Sequence, residues 1–419
     1  MSLYDKASLI MTPSGAKATK LYSHKPHNGN GDFTHNRSTT ATRVNKDGLI
    51  ESVAADVPRL DYPLIDGVVQ DCPALLLEPA RTNILRKSQE IDDSTYWIKG
   101  NSNVTANDTI SPDGTQNADL LTLTSAGGNI YSPISTTGTH SFSVFAKYVD
   151  MQYIRVRLTG AYVFFDIKNG VIGSSINNDD SKIEDYGNGW YRCTVIDDNT
   201  NTIAQVYVSD TDGSYTGTGS VHLWGLQVES GSYPTSYIPT TTQTVTRNAD
   251  VCNSAGTSAE FNDSEGVLYW EAARQSSSHT ASTCVAISNG ATIDTAVSLY
   301  YFSTGIYADI FNTSTAFGLS YTYAIEKQVL FNRMAVKYKS GDVALWLNGF
   351  EVDTDTTTFS FGDSFDQLAF DYGSGSFPFH GRTKELAVFK EALTDSELES
   401  LTSWDSFNEM ATEQEYTIE

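Results

Sequence analysis

The sequence predicts an all-β protein built from two tandem antiparallel β-sandwiches, the first of jelly-roll type, behind an irregular N-terminal leader. Three observations predict it. The chain is 419 residues long, enough for two or three domains at roughly 100 to 200 residues each. Its 39% hydrophobic and 11% aromatic content can fill real cores, and its 31 glycines suit many tight turns. Finally, apolar residues recur with period two in short runs broken by Gly, Asn, Asp and Ser, which is the signature of half-buried strands.

Residues 1–85 lack a long periodic segment and carry His24, His27 and His35 among polar clusters such as HNGNGD. Up to position 60 there are eight Lys or Arg against five Asp or Glu, a local positive excess on an acidic chain. This predicts an irregular connector that docks on a partner or on the body, and that can be removed without unfolding the sandwiches. Residues 86–245 supply the jelly roll. In HSFSVFAKYV, Phe142, Val144, Ala146 and Tyr148 share one face; in YIRVRL, Ile154, Val156 and Leu158 face the core while Tyr153, Arg155 and Arg157 share the other side. The strands AYVFFDI, WYRCTVI, AQVYVS and VHLWGLQVE follow, with Trp224, Leu226 and Val228 assigned to one apolar face and Gln227 to the opposite one.

The stretch YPTSYIPTTTQTVTRNAD reads as a linker, and residues 250–403 as the second sandwich. Within it, Asn348-Gly349 between alternating runs is a type I′ hairpin signal. Thr394 and Glu397 have capping-box spacing, so a short helix should start at Thr394. Residues 404–419 are expected to be an acidic, solvated tail.

Three stretches resemble segments of tailed-bacteriophage structural proteins, tail fibres among them. The first is TTATRVNKDGLIESVAADVPRLDY with CPALLLEPARTNIL. The second is the SPDGTQNADLL, GNGWYRCTV and LWGLQVESGSYPTSYIPTTTQTVTRNADVC series, similar to a carbohydrate-binding-module jelly roll. The third, LWLNGFEVD through FHGRTKELAVFKEALTDSELESL, is similar to the laminin-G/concanavalin A-like sandwich. The resemblance implies a non-enzymatic virion protein, assembled in a bacterial host's cytoplasm, that contacts bacterial surface polysaccharide and joins other virion proteins through residues 1–85. It is also compatible with a homo-oligomer. Two alternatives stand beside this: a glycan depolymerase using sandwich carboxylates, and a purely architectural head fibre or capsid decoration.

The charge balance narrows the partners. With 27 basic and 51 acidic residues the net charge is −24, which repels nucleic-acid phosphates and anionic lipid. No apolar run approaches a membrane span, and no signal-peptide pattern opens the chain. Cys72, Cys193, Cys252 and Cys284 are widely spaced and are expected to be mostly buried thiols.

The enzyme-like string is Glu351, Asp353 and Asp355 in EVDTD, where alternate carboxylates on one strand face would flank a sugar. Its bland reading is an exposed strand after a hairpin. His24 and His27 lack acidic co-ligands, and Asp210, Asp212 and Gly213 lack the EF-hand order, so a turn is expected there. No metal ligands are assigned and no cofactor is expected; structural calcium stays open, since sandwiches of this kind often bind it. For sugar contact the candidates are Tyr153, Arg155, Arg157, Tyr162 and, more weakly, Gln227: rings stack on sugar faces, and guanidiniums suit carboxylated or sulfated groups. Cross-strand pairing with acidic residues is the competing explanation of the arginines.

Overall fold

The computed structural model describes residues 2–290, 295–312, 316–361 and 364–404. Beyond Trp404, the expected acidic tail lies outside the described residues. The architecture is almost entirely β.

The jelly roll packs two six-stranded antiparallel sheets. One runs in the order Ile98–Gly100, Asn129–Thr136, Asn201–Ser209, Tyr153–Leu158, Ala161–Asp166, Val171–Ile176. The other runs Ser102–Ile110, Gln116–Leu123, Ser220–Ser230, His140–Tyr148, Trp190–Asp197, Asp180–Asp185. Phe142, Val144, Ala146, Ile154, Val156 and Leu158 meet in the core between them, as their alternation predicts. The second sandwich faces an eight-stranded sheet, centred on Glu265–Arg274 and Gly381–Phe389, against a five-stranded one that includes Ala296–Phe302 and Gly305–Phe311. The Asn348-Gly349 turn has both φ values positive, 48° and 88°, as a type I′ hairpin requires. Thr394 caps the Asp395–Thr402 helix through a complete capping box with Glu397.

The leader departs from expectation. Ala7–Met11 and Ala74–Leu77 both pair with Gly381–Phe389, and Arg59–Asp61 extends the same sheet. Leu9, Met11, Leu21, Phe33, Leu75 and Leu77 enter the core of the second sandwich. An apolar side chain so buried contributes about 1.5–3 kcal/mol, so these short segments are structural members and not a detachable connector. Their brevity hides them from periodicity: strands of two to five residues with Pro and Gly between them carry too little pattern.

The linker is likewise built in. Val245–Arg247 pairs with Arg81–Asn83, and Ile238, Thr240, Arg247 and Asp250 are buried. A wholly buried ionic cluster joins the pieces. Asp250 accepts from His35 (3.1 Å), Arg37 (2.8 Å), Arg59 and the Glu78 amide (2.9 Å). Glu78 accepts from Arg59 (2.6 Å), Arg247 (2.7 Å) and the Ser236 amide (2.8 Å). Burial alone would raise the Glu78 carboxyl, but Arg247 and Arg59 bring it down to about 2. Three separate stretches therefore converge here: PRLDY supplies Arg59, LLLEPARTN supplies Glu78, and TRNAD supplies Arg247 and Asp250. Removing one partner of such a cluster leaves a buried uncompensated charge, which costs about 3–5 kcal/mol.

Candidate functional site

The outer face of the Tyr153–Leu158 sheet gathers most of the predicted sugar-contact residues. Tyr153, Arg155 and Arg157 oppose Ser209, Tyr207 and Gln205 on one neighbouring strand and Asp166, Phe164 and Tyr162 on the other. Directly opposed residues of an antiparallel pair share a face, so core residues behind them dictate this lineup in front.

Gly127, Arg155, Arg157, Thr159, Gly160, Tyr162, Tyr207 and Tyr215 line a surface cavity of about 430 Å3. Arg155 is its floor and only 4% exposed. Its guanidinium lies 4.5, 4.1 and 4.6 Å from the ring centres of Tyr162, Tyr207 and Tyr215, an arrangement in which the ring faces attract the cation. Burial lowers the Arg155 guanidinium to about 10; Tyr207 opposes that effect and Arg157 adds to it. Arg157 is fixed differently, donating from Nη1 to Gln205 Oε1 (2.9 Å) and from Nε to the Thr159 carbonyl. Gln205 in turn donates to Asn129 Oδ1 (2.9 Å). The competing expectation, pairing with Asp or Glu, does not describe either arginine, since neither forms a salt bridge among the described residues.

Tyr153 continues the same face without lining the cavity. Tyr207 and Tyr215 belong to the site but were not singled out from the sequence. Tyr207 is legible in QVYVS, where Gln205, Tyr207 and Ser209 alternate with the core residues Val206 and Val208. Tyr215 sits in the SDTDGSYTGTGS turn, which periodicity does not reach. That turn is held by Asp212, which accepts from the Ser174 amide (2.9 Å) and hydroxyl (2.8 Å). Asp210 accepts from Thr211 (2.9 Å) and Thr216 (2.5 Å). These carboxylates are turn anchors.

Gln227 is corrected. It is fully buried on the other sheet, accepting from the Ile238 amide (2.6 Å) and donating to Glu229 (2.5 Å) beneath the linker. The assigned face of Trp224 is also reversed. A register shift places Phe145 opposite Trp224 and Ser143 opposite Gln227, so Gly225, at φ 62°, absorbs a bulge. Leu226 and Val228 face the sandwich core, whereas Trp224 packs outside it with Phe145, Trp190 and Tyr237.

The EVDTD carboxylates do not share one face. Trp346 pairs with Glu351 and Leu345 with Asp353, leaving Val352 as an extra residue. Glu351 therefore sits on the Trp346 side and Asp353 on the Leu345 side, and those two residues belong to different core clusters. Asp353 accepts from the Ser320 amide (2.8 Å), and hydrogen bonds from Thr357 lower the Asp355 carboxyl. A different carboxylate pair does meet: Glu271 and Glu385 oppose each other on adjacent strands. Burial first and Glu271 second raise Glu385 to about 6, while Arg333 lies 3.2 Å from Glu271.

For a cation, the oxygens of Asp179, Asp197 and Asp198 lie within 4.8 Å of one another, and hard oxygen ligands of this kind suit calcium. Cys193, Cys252 and Cys284 are buried and Cys72 is exposed. Burial holds the three buried thiols well above their ordinary range. His24 is occupied by Thr12 (2.6 Å) and Ser14 (3.0 Å). No helix among the described residues is long and apolar enough to cross a membrane.

Fold and site together define a two-sandwich protein with an arginine–tyrosine cavity on one jelly-roll face. Neither a protein-family model nor a curated protein matches the chain. Among solved structures it is similar to the CBM40 of a Ruminococcus gnavus IT-sialidase bound to α2,3-sialyllactose. That likeness has 20% identity over 34% of this chain and 84% of that one, with a TM-score of 0.30. It is also similar to a leech intramolecular trans-sialidase (18% identity, 35% and 24% of the two chains, TM-score 0.30). A third likeness is to a SAP-like pentraxin from Limulus polyphemus (16% identity, 34% and 71%, TM-score 0.27).

Proposed function

We propose that the protein binds glycans through the outer face of the Tyr153–Leu158 sheet, as a surface appendage of a tailed-bacteriophage particle. The observation that carries the binding reading is the cavity around Arg155, where three tyrosine rings and two arginines converge on one open face. Rings offer flat apolar surface to the C–H faces of a sugar, and the arginines offer donors to its oxygens. Virion membership draws its support from the resemblance of residues 39–85 and of the LWGLQVE to TRNADVC run. In this reading attachment uses a folded surface, because the leader is part of the second sandwich. Screening the full chain against bacterial surface polysaccharides tests the binding reading, with Arg157→Ala expected to lose at least about tenfold in affinity; full binding by that variant would overturn it. Immunogold labelling of native particles tests the placement.

The depolymerase reading keeps one specific observation, the opposed Glu271–Glu385 pair, in which one carboxyl is raised toward the range of a general acid. If it holds, purified protein releases new reducing ends from a polysaccharide and Glu385→Gln does not. Absence of cleavage across host polysaccharides would remove it.

A further inference from the structure

We infer that the Arg155 cavity selects sugars that carry an anionic substituent, a carboxylate or a sulfate ester; this rests on the glycan-binding reading and narrows its ligand class. The charge distribution argues for it. In a chain with 51 acidic and 27 basic residues, the cavity's lining contains two arginines and no Asp or Glu.

The other deeply buried arginines are Arg37, Arg59, Arg192, Arg247 and Arg274. Arg192 makes no salt bridge among the described residues but donates to Ser143 (3.0 Å) and is acted on by Glu184 and Glu229. Arg37, Arg59 and Arg247 are each matched to Asp250 or Glu78 at salt-bridge distance. Arg274 lacks a carboxylate but donates to Gln328 Oε1 and to the carbonyls of His279 and Ala281. Arg155 has no carboxylate at salt-bridge distance among the described residues, and its side-chain hydrogen-bond partner is the neutral Tyr207. Its Nε lacks a hydrogen-bond partner, as do those of Arg59, Arg192, Arg247 and Arg274, but the formal charge acting on Arg155 is Arg157, of the same sign. Three ring faces offset part of the lost hydration, yet the net charge stays uncompensated within the fold. An oxyanion entering beside Tyr207 and Tyr215 completes the pairing that the protein leaves open. Arg157 is placed to assist: Gln205 and the Thr159 carbonyl occupy Nη1 and Nε, while Nη2 makes no hydrogen bond among the described residues. Planar guanidiniums pair well with carboxylate and sulfate oxygens.

The test uses calorimetric titration of the full chain with two matched probe pairs: oligogalacturonate against its methyl ester, and κ-carrageenan oligosaccharide against its desulfated counterpart. The acidic member of at least one pair should bind at least about tenfold more tightly, and added salt should shrink the gap. A gap in the first pair alone identifies a carboxylate, and in the second alone a sulfate ester. Arg155→Met should abolish the gap without lowering the melting temperature, because it removes an uncompensated buried charge. If that variant does not fold, Arg157→Gln decides: a reduced gap supports the inference and an unchanged gap overturns it. Equal binding of acidic and neutral members would overturn the inference and leave glycan binding standing. Silence toward these probes and toward a neutral-glycan array would overturn both.

Discussion

Gln227 and Arg155 show what a strand pattern does and does not say about a single side chain. Both stand on the non-core side of their strands, so alternation alone ranks them together. The difference lies in what covers each face. Residues 233–240 cross over Gln227 and take its hydrogen bonds, whereas the Arg155 face is left open with Tyr215 above it, 39% exposed. Covering by a distant segment is long-range information that one strand's sequence lacks. Gln227→Ala should accordingly destabilise the fold by about 1–3 kcal/mol, since the buried Ile238 amide and Glu229 lose partners, while glycan affinity per folded molecule stays unchanged. Chemical denaturation and titration of the same sample separate the two effects; weakened binding at full stability would contradict this assignment.

Among elements, regular strands and capped or hairpin turns were legible, and bulged strands were not. The Tyr153–Leu158 strand, the Asn348-Gly349 hairpin and the Thr394 cap each follow from local residue chemistry. Bulges at Gly225 and at Val352 broke the alternation elsewhere, the first reversing Trp224 and the second putting Glu351 and Asp353 on opposite faces. A lone Gly inside LWGLQ is the visible trace of the first; nothing local marks the second. At Gly225 a Cβ would approach Phe145 Cδ2 to 2.9 Å on a backbone already at φ 62°. Gly225→Ala should therefore lower stability by about 1–3 kcal/mol, read as a shifted denaturation midpoint. A neutral substitution would mean the bulge is relaxed in solution.

In the whole molecule, the two-sandwich plan was legible and the interlocking of its parts was not, because the leader's strands are too short to announce themselves. Deleting residues 1–85 should leave the second sandwich unable to fold, since its sheet loses three strands and its core loses Leu9, Met11, Leu21, Phe33, Leu75 and Leu77. Insolubility or loss of the cooperative transition is the expected result; a soluble fragment with an unchanged melting temperature would contradict it. Acid should act at the junction. His279 stacks between Tyr233 (5.4 Å) and His380 (5.8 Å), near Ser278, which donates to Asp180 of the jelly roll (2.8 Å). Burial, then Arg274, lowers His279 to about 3; burial, then Arg81, lowers His380 to about 4. Both stay neutral in the folded protein where an unfolded chain, at about 6.5, takes up protons. Their contribution is complete above pH 6.5 and is lost as pH falls toward 4. Asp119 and Glu385, raised to about 6 chiefly by burial, give the opposite slope, so the comparison is with His279→Gln/His380→Gln. That variant should lose less stability than the parent between pH 6.5 and 4; parallel profiles would contradict the assignment.

The central claim, that glycan is held by the arginine–tyrosine face, is tested most directly by titrating one polysaccharide ligand into the parent protein and into Tyr207→Ala/Tyr215→Ala. Removing two stacking rings should weaken binding at least about tenfold, about 1.4 kcal/mol or more, with the melting transition still cooperative. Unchanged affinity in a folded double variant would place the binding surface elsewhere and contradict the account.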